Sequence, residues 1–393
     1  MSDKIVLMIN SLTQGGAERI FVQLVNDFNS QGYKVTAAFL DEATFYKLPD
    51  SIETIYLVKG EKESGKVKKF FNLFKAAIRL RKYIKNNNIS LVQSHLFRSN
   101  YINIIAKILG AGHKAHLVSA VSAKAKYPAG RFLSNLSRTM ISFFYRRADL
   151  LIFKARAMEK EYINDFHLSN PSIVINNPIN TNYVNKERLR TESAKFSFDI
   201  SRKYIVSVGR FHPDKKQSDL VLAFSELNKT CRDYELIFLG DGPTKSEVED
   251  LACEICAPGT VHFLGSVDNP FVYLNKASIY ISTSISEGFP NALVEALCCE
   301  VPVISTDCMT GPREILAPGS GDIFLKDTIE VAEYGILVPI NNVECLVDAI
   351  CLLKNEGSDL YSVYKRKAPL RAQDFDSKVI NIRYRNSLAL GNQ

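Results

Sequence analysis

The feature that most constrains this chain is a rhythm of short apolar runs separated by helix-length spacers. The first set is Lys4–Ile9, Tyr33–Leu40, Thr54–Val58, Leu91–Ser94, Leu117–Ala120, Leu150–Phe153 and Ser172–Ile175. Strands buried on both faces need near-continuous apolar runs, and parallel strands need helical crossovers between them. The rhythm stops at Asn176-Asn177-Pro178, a turn signal, then restarts with Tyr204–Val208, Glu235–Leu239, Val261–Leu264, Ile279–Thr283, Val303–Thr306 and Ile336–Pro339. A chain of 393 residues also exceeds what one core of about 250–300 residues can hold. The expected fold is α/β: two doubly wound, Rossmann-like domains, residues 1–177 and 178–375, with strand-end loops facing a central cleft. A last helical pattern, Asp376–Leu390, has Asp376 as its expected N-cap.

Several classes are excluded by what is absent. No apolar run approaches the ~18–20 residues of a membrane span. Asp3 and Lys4 precede the first apolar run and Asn10 follows it, which is too short a stretch for a signal peptide, so a cytosolic chain is expected. The eight cysteines sit in the second half, mostly inside apolar patterns, and read as reduced thiols. Cys253 and Cys256 form a C-x-x-C without a second ligand pair, so no metal is expected there.

Charge divides the chain. Residues 1–180 carry 26 Lys/Arg against 13 Asp/Glu, and residues 181–393 carry 23 against 29. Between Lys66 and Ala148 there are 17 cations and no acid, with Phe70, Phe71, Phe74, Ile78, Leu80, Tyr83 and Ile84 interleaved. An anionic membrane surface or lipid-linked anion suits this mixture best. A solvated helix face is the plainer alternative, and nucleic acid, the third, is not an expected partner. The candidate contacts are Lys66, Lys68, Lys69, Arg79, Arg81 and Lys82.

The loops after strands carry the candidate chemistry. Gly15-Gly16 precede a helix, where backbone N–H groups could approach an anion, or they form only a tight turn. Gly60 to Lys66 matches G-x-x-x-x-G-K, but Val67 stands where a P-loop needs Ser or Thr. Gly209-Arg210 with Lys215-Lys216 offers cations able to reach one diphosphate, or plain surface charges. The strongest element runs from Ser282 through Glu287-Gly288-Phe289-Pro290-Asn291 to Glu295. It is a strand-end loop entering a helix, with two carboxylates able to accept hydrogen bonds from a polyhydroxylated ligand.

E-G-F-P-N-A-L-V-E-A-L from Glu287, followed by Thr310-Gly311-Pro312-Arg313-Glu314-Ile315, resembles the signature of retaining glycosyltransferases of family 4, which have the GT-B fold. The likeness extends to Gly15-Gly16-Ala17-Glu18, Ser94-His95-Leu96, Asn177-Pro178, Gly209-Arg210 with Lys215, and Gly240-Asp241-Gly242-Pro243. It is strongest toward bacterial enzymes that extend lipid-linked surface polysaccharides. The resemblance implies that Arg210 and Lys215 hold the donor diphosphate, that Glu287 contacts the transferred sugar, and that Glu295 binds the ribose. It also places Gly209, Gly240 and the Gly288, Phe289, Pro290 and Asn291 backbone around the donor, Gly16 near phosphate or acceptor, and His95 at the reaction centre. Gln93, Ser122 and Lys154 depart from residues common in relatives, so acceptor identity transfers least.

The expected activity is transfer of a sugar, with retention, from a nucleotide diphosphate sugar, UDP favoured, to a polyprenyl-diphosphate-linked glycan at the inner face of the membrane. A silent sugar-nucleotide-binding scaffold and a sugar-nucleotide epimerase are the alternatives. No cofactor or metal is expected, because the D-x-D at Asp374–Asp376 is explained as a helix cap. The domains are expected to close on the donor about a hinge near Asn177-Pro178, with the final helix, 376–393, packing back on the first.

Overall fold

A computed structural model describes residues 4–13, 15–42, 45–58, 66–128, 130, 132–194, 196–321 and 324–389. The P-loop-like stretch Gly60–Gly65 lies outside these residues, as do Asp3 and the side chains of Lys66, Lys68, Lys69 and Phe70. The chain divides into Met1–Pro178 with Ile380–Gln393, and Ile179–Val379.

The first unit is built on seven strands: β1 (Lys4–Ile9), β2 (Lys34–Phe39), β3 (Glu53–Tyr56), β4 (Leu91–His95), β5 (Lys114–Ser119), β6 (Leu150–Phe153) and β7 (Ser172–Val174). Their order is β3-β2-β1-β4-β5-β6-β7, all parallel. Side chains alternate between the sheet's faces. Ile5, Leu7 and Ile9 pack with Phe21, Leu24 and Phe28 of the Gly16–Ser30 helix and with Ile380 and Tyr384 of the last helix. Val6 and Met8 pack on the other face with Ala76, Leu80 and Ile84 of the Lys66–Asn87 helix. Both faces are covered, which is why β1 reads as an unbroken apolar run.

The last helix spans Ser377–Leu388, directly after Asp376, its expected N-cap. Asp376 accepts the Lys378 N–H at 2.8 Å through Oδ1, and its Oδ2 accepts the Thr181 hydroxyl at 2.5 Å. Arg385 pairs with Asp27 at 2.5 Å, tying the helix to the first unit.

The second unit has β8 (Lys203–Val208), β9 (Tyr234–Leu239), β10 (Val261–Phe263), β11 (Ile279–Ser282), β12 (Val303–Thr306), β13 (Glu330–Val331) and β14 (Ile336–Val338), in the order β10-β9-β8-β11-β12-β14-β13. All pairings are parallel except that of β13, a two-residue strand antiparallel to β14 and too short to leave a periodic signal. Ile205, Ile279 and Ile281 pack on one face, and Val206, Tyr280 and Val303 on the other.

Each sheet reverses its strand order once, between β1 and β4 and between β8 and β11. Loops leaving those neighbours diverge to opposite faces, and the crevice so formed at the carboxyl ends is where doubly wound sheets bind ligands.

The basic stretch is not left uncompensated, as its sequence suggests. Among the described residues, folding brings acids from outside it to cations of the stretch: Arg98 to Asp41 at 3.5 Å, Lys107 to Asp149 at 2.7 Å and Arg138 to Asp165 at 3.2 Å. Parallel crossovers bring strand-end residues together across long sequence separations, which a linear charge count cannot register. The Lys66–Asn87 helix buries Ala76, Ala77, Leu80 and Ile84, while Phe71, Phe74 and Ile78 form an exposed stripe at 62, 40 and 55%. Among the described residues no helix is long and apolar enough to cross a membrane.

Candidate active site

In the second unit the loops after β8 and β9 lie backbone on backbone. A Cβ at Gly240 would stand 2.0 Å from the Gly209 carbonyl oxygen, and one at Gly242 would stand 2.1 Å from that of Phe211. Both glycines also have positive φ. Gly240 is thus demanded by loop packing, a different reason from the donor contact implied by the resemblance. Gly209 has nothing within 4 Å of its missing Cβ, so its surface is open to approach. The Arg210 side chain is exposed and makes no ion pair among the described residues, while Gln217 Nε2 holds its carbonyl at 3.0 Å.

Lys215 ends a short 3-10 turn, Pro213–Lys215, whose Asp214 N–H is accepted by His212 Nδ1 at 3.3 Å. Its ammonium reaches Glu287 Oε1 at 2.5 Å, and Ser284 donates to the same oxygen at 2.6 Å. Thr283 Oγ1 donates to the Lys215 carbonyl at 2.9 Å, and the Ile285 N–H donates to that of Asp214 at 2.8 Å. The reversal between β8 and β11 has therefore joined two groups 72 residues apart in sequence. Both contacts fall on Oε1, and no described residue hydrogen-bonds Oε2.

A third segment fixes the Glu287 loop. The Glu287 N–H donates to Met309 O and the Thr310 N–H to Glu287 O, each at 2.9 Å, while Thr310 Oγ1 donates to Gly288 O at 2.7 Å. Asp307, fully buried, receives Arg313 through Nε at 3.0 Å and Nη2 at 2.6 Å, plus the Leu325 N–H at 2.8 Å. Arg313 also reaches Glu330 at 2.9 Å. Ser284, Thr310, Asp307 and Arg313 had no individual role in the sequence reading. An Asp and an Arg six residues apart after a strand carry no signal until the fold pairs them.

Phe289 is buried edge-on to Phe375 at 5.3 Å, and Pro290 is buried too, so these two can offer a ligand only backbone. The helix Asn291–Cys298 begins after Pro290 with no side-chain cap, which sets the positive end of its dipole at this loop. Glu295 is 5% exposed. The Tyr280 phenol is pushed up by burial and then by the charges of Glu287 and Glu295. Among the described residues no three of His, Cys, Asp and Glu group closely enough to hold a metal.

The corresponding reversal in the first unit looks different. Gly15 caps the first helix with extended φ −170°, and a Cβ there would stand 2.3 Å from Glu18 Oε2. The space reserved by this glycine holds a carboxylate of the protein itself, pushed up by burial. Gly16 is exposed at the first helical position. His95 does not present its ring at an open surface. It is 2% exposed, with Nε2 3.1 Å from Gln93 Nε2 and Phe21 edge-on at 5.6 Å, and burial followed by Lys154 holds it neutral, well below the usual range. Lys154 is 3% exposed, bonded to the Tyr384 hydroxyl, and pushed by burial down to about 7. On the Lys66–Asn87 helix, Lys82 is exposed, Arg81 is half-buried, and Arg79 donates to Leu57 O at 2.6 Å, so part of its charge serves the fold.

Comparison with known proteins gives two adjoining matches. The family described as Glycosyltransferase Family 4 matches residues 14–183, and that described as Glycosyl transferases group 1 matches residues 190–371. A Campylobacter jejuni N-acetylgalactosamine-N,N'-diacetylbacillosaminyl-diphospho-undecaprenol 4-alpha-N-acetylgalactosaminyltransferase is 28% identical over 374 residues, covering 95% of this chain and 96% of its own. Among solved structures, a glycosyltransferase from Rickettsia africae superposes with TM-score 0.79 at 16% identity over both full chains. HepE of Anabaena, in complex with UDP-glucose, superposes with TM-score 0.75 at 16% identity over 98% of this chain and 99% of its own.

Proposed function

Because this chain belongs to the GT-B glycosyltransferases that join a family 4 half to a group 1 half, we propose that it transfers a sugar from a nucleoside diphosphate sugar to a lipid-linked glycan, retaining the anomeric configuration. The observation that carries this reading is the Lys215–Glu287–Ser284 cluster beside exposed Arg210 at the β8/β11 reversal. An ammonium has three N–H donors. One held by Glu287 leaves two for phosphate oxygens, and the open Oε2 can accept a hydroxyl of the transferred sugar. As the bond from sugar to diphosphate breaks, charge builds on the leaving phosphate, and Lys215 and Arg210, helped by the positive end of the Asn291–Cys298 helix dipole, stabilise that charge more than they stabilise bound donor. The second carboxylate, Glu295, suits the ribose hydroxyls. His95 is buried at 2% exposure in the first unit, and this step assigns it no contact with the donor.

The lipid-linked acceptor is supported by the Campylobacter relative, whose name specifies a diphospho-undecaprenol substrate and an α linkage. A UDP-sugar donor is the expected choice, in line with the fold neighbour that carries UDP-glucose. The cations already in the loop supply the charge a metal would, so activity is expected to survive EDTA. An acceptor in a bilayer also calls for a surface that meets lipid, and the Phe71–Phe74–Ile78 stripe with neighbouring Lys82 has the required mixture of apolar and cationic groups. Co-sedimentation should show binding to anionic but not neutral vesicles, lost at high salt, where the Debye length falls to roughly 3 Å.

The deciding test is release of free nucleoside diphosphate with a panel of UDP-, GDP- and ADP-sugars, with and without a polyprenyl-diphosphate-linked glycan. Release that depends on acceptor, with an α-linked product, is the expected result. An isomerised donor without acceptor would indicate an epimerase. Donor binding without turnover would indicate a scaffold.

A further inference from the structure

The carboxyl edge of the first unit, beside the Gly15-Gly16 turn, carries groups that the transfer step leaves unused. Phe45 is 60% exposed. It is nonetheless held in place: its N–H donates to Leu12 O at 2.6 Å, and its ring meets Tyr46 edge-on with centroids 5.0 Å apart. Tyr46 in turn donates its hydroxyl to Gly15 O at 3.3 Å. On the same loop after β2, the Asp41 N–H donates to Asn10 O of the loop after β1 at 3.0 Å, and Asp41 pairs with Arg98 at 3.5 Å, both side chains about a third exposed. Glu18 lies against Gly15 and accepts from Thr13 at 3.4 Å. An aromatic face costs stability when left in water, and the Asn10–Thr13 loop that anchors Phe45 through Leu12 also meets Asp41 through Asn10 and Glu18 through Thr13.

We propose that Phe45, with the Asp41–Arg98 pair and Glu18, forms a subsite for a neutral pyranose, the terminal sugar of the acceptor. The proposal rests on the glycosyltransferase reading above and adds which face of the first unit reads the acceptor and what chemistry it accepts. A pyranose has an apolar C–H face that stacks on an aromatic ring and a rim of hydroxyls that pair with carboxylate and guanidinium. A phosphate suits this edge poorly. In a half of the chain with 26 cations against 13 acids, the cation at this spot is already paired, and a second carboxylate fills the place where a phosphate would approach the helix N-terminus. The edge therefore discriminates against charged sugars, such as uronic acids, and against the acceptor's own diphosphate.

The test uses the full chain and two readouts. The first is saturation-transfer NMR with methyl α-N-acetylgalactosaminide as probe. The second is steady-state transfer to a polyprenyl-diphosphate-linked N-acetylhexosamine. Phe45→Ala should lose the probe signal and raise KM for the acceptor about five- to tenfold with kcat near wild type, the size expected for one aromatic contact. Phe45→Trp should restore both. Asp41→Ala should raise KM in the same direction, and neither change should alter the thermal shift produced by UDP. Wild-type KM and an unchanged probe signal in Phe45→Ala would overturn the subsite while leaving the enzyme reading intact. Phe45-dependent probe binding in a chain that transfers no sugar would support the subsite and overturn the enzyme reading instead.

Discussion

The two sheet reversals share a topology and differ in what they do with polar side chains. At the carboxyl ends of β4 and β6 polar groups turn inward: Gln93, His95 and Lys154 are buried, and Lys154 is bonded to Tyr384 of the last helix, while Arg98 and Asp41 stay about a third exposed. At β8/β11 they stay at the surface, with Arg210 exposed and the Lys215–Glu287 pair half-buried on top of the strands. Burying a lysine costs its charge, since desolvation favours the neutral form, whereas a cation kept near solvent and oriented by a carboxylate keeps it. The topology supplies a crevice in both units. Both crevices hold a paired cation, Arg98 with Asp41 in the first and Lys215 with Glu287 in the second, but the second adds Arg210, exposed and without an ion pair among the described residues.

The largest expected effect breaks the support beneath the second reversal. Arg313→Met leaves Asp307 buried without its partner, and loss of one member of a buried pair costs about 3–5 kcal/mol, measurable by urea unfolding. Unchanged stability would mean that the 307–313 segment does not brace the Glu287 loop. Next, Arg210→Ala and Lys215→Ala should each lower kcat by about 10²-fold, or about 2.7 kcal/mol, with the fold intact. Wild-type turnover in either variant would remove the charge-based distinction between the two crevices.

A smaller effect sharpens the description of the first reversal. With Lys154 near 7 in the folded chain and near its ordinary value when unfolded, the unfolded state binds more protons between those values. The contribution of this group to stability should therefore rise with pH from about 7 to 10, by at most about 1.4 kcal/mol per pH unit. His95 is neutral in both states over that window and contributes only as pH falls below its ordinary value, where folding opposes its protonation. The Tyr384 phenol, pushed up by burial, stays protonated throughout it. Chemical denaturation at several pH values should show stability rising less steeply in Lys154→Met than in wild type, with both profiles lowered at the upper end because burial pushes the Cys298, Cys299 and Cys308 thiols up. The smallest effect concerns Lys216, which has φ +49° in the left-handed region. Lys216→Gly should stabilise the protein by about 1 kcal/mol, because glycine adopts that conformation without a Cβ clash.

Much of the fold was readable because parallel strands covered on both faces must be apolar along their whole length. Lys4–Ile9 and Lys203–Val208 announce themselves that way. The β13 strand did not, since Glu330–Val331 at a sheet edge is neither long nor fully buried. For the site, Arg210, Lys215, Glu287 and Glu295 could be named from a run of residue types, because a diphosphate needs cations and a sugar needs carboxylates near a helix start. The reasons for Gly15 and Gly240 could not be read. A glycine in a loop looks the same whether it makes room for a ligand, for Glu18, or for another stretch of backbone.

By itself, then, the sequence determined the layered α/β architecture, the two-unit organisation and the chemical types in the donor loops, all of which follow from local composition and period. Tertiary structure alone decided that Lys215 meets Glu287, that Arg313 meets Asp307, that His95 and Lys154 are enclosed, and that Asp41, Asp149 and Asp165 neutralise part of the basic stretch. The physical reason is that burial and ion pairing depend on distance in space, and a parallel sheet sets neighbours side by side through crossovers whose length leaves no mark on either residue.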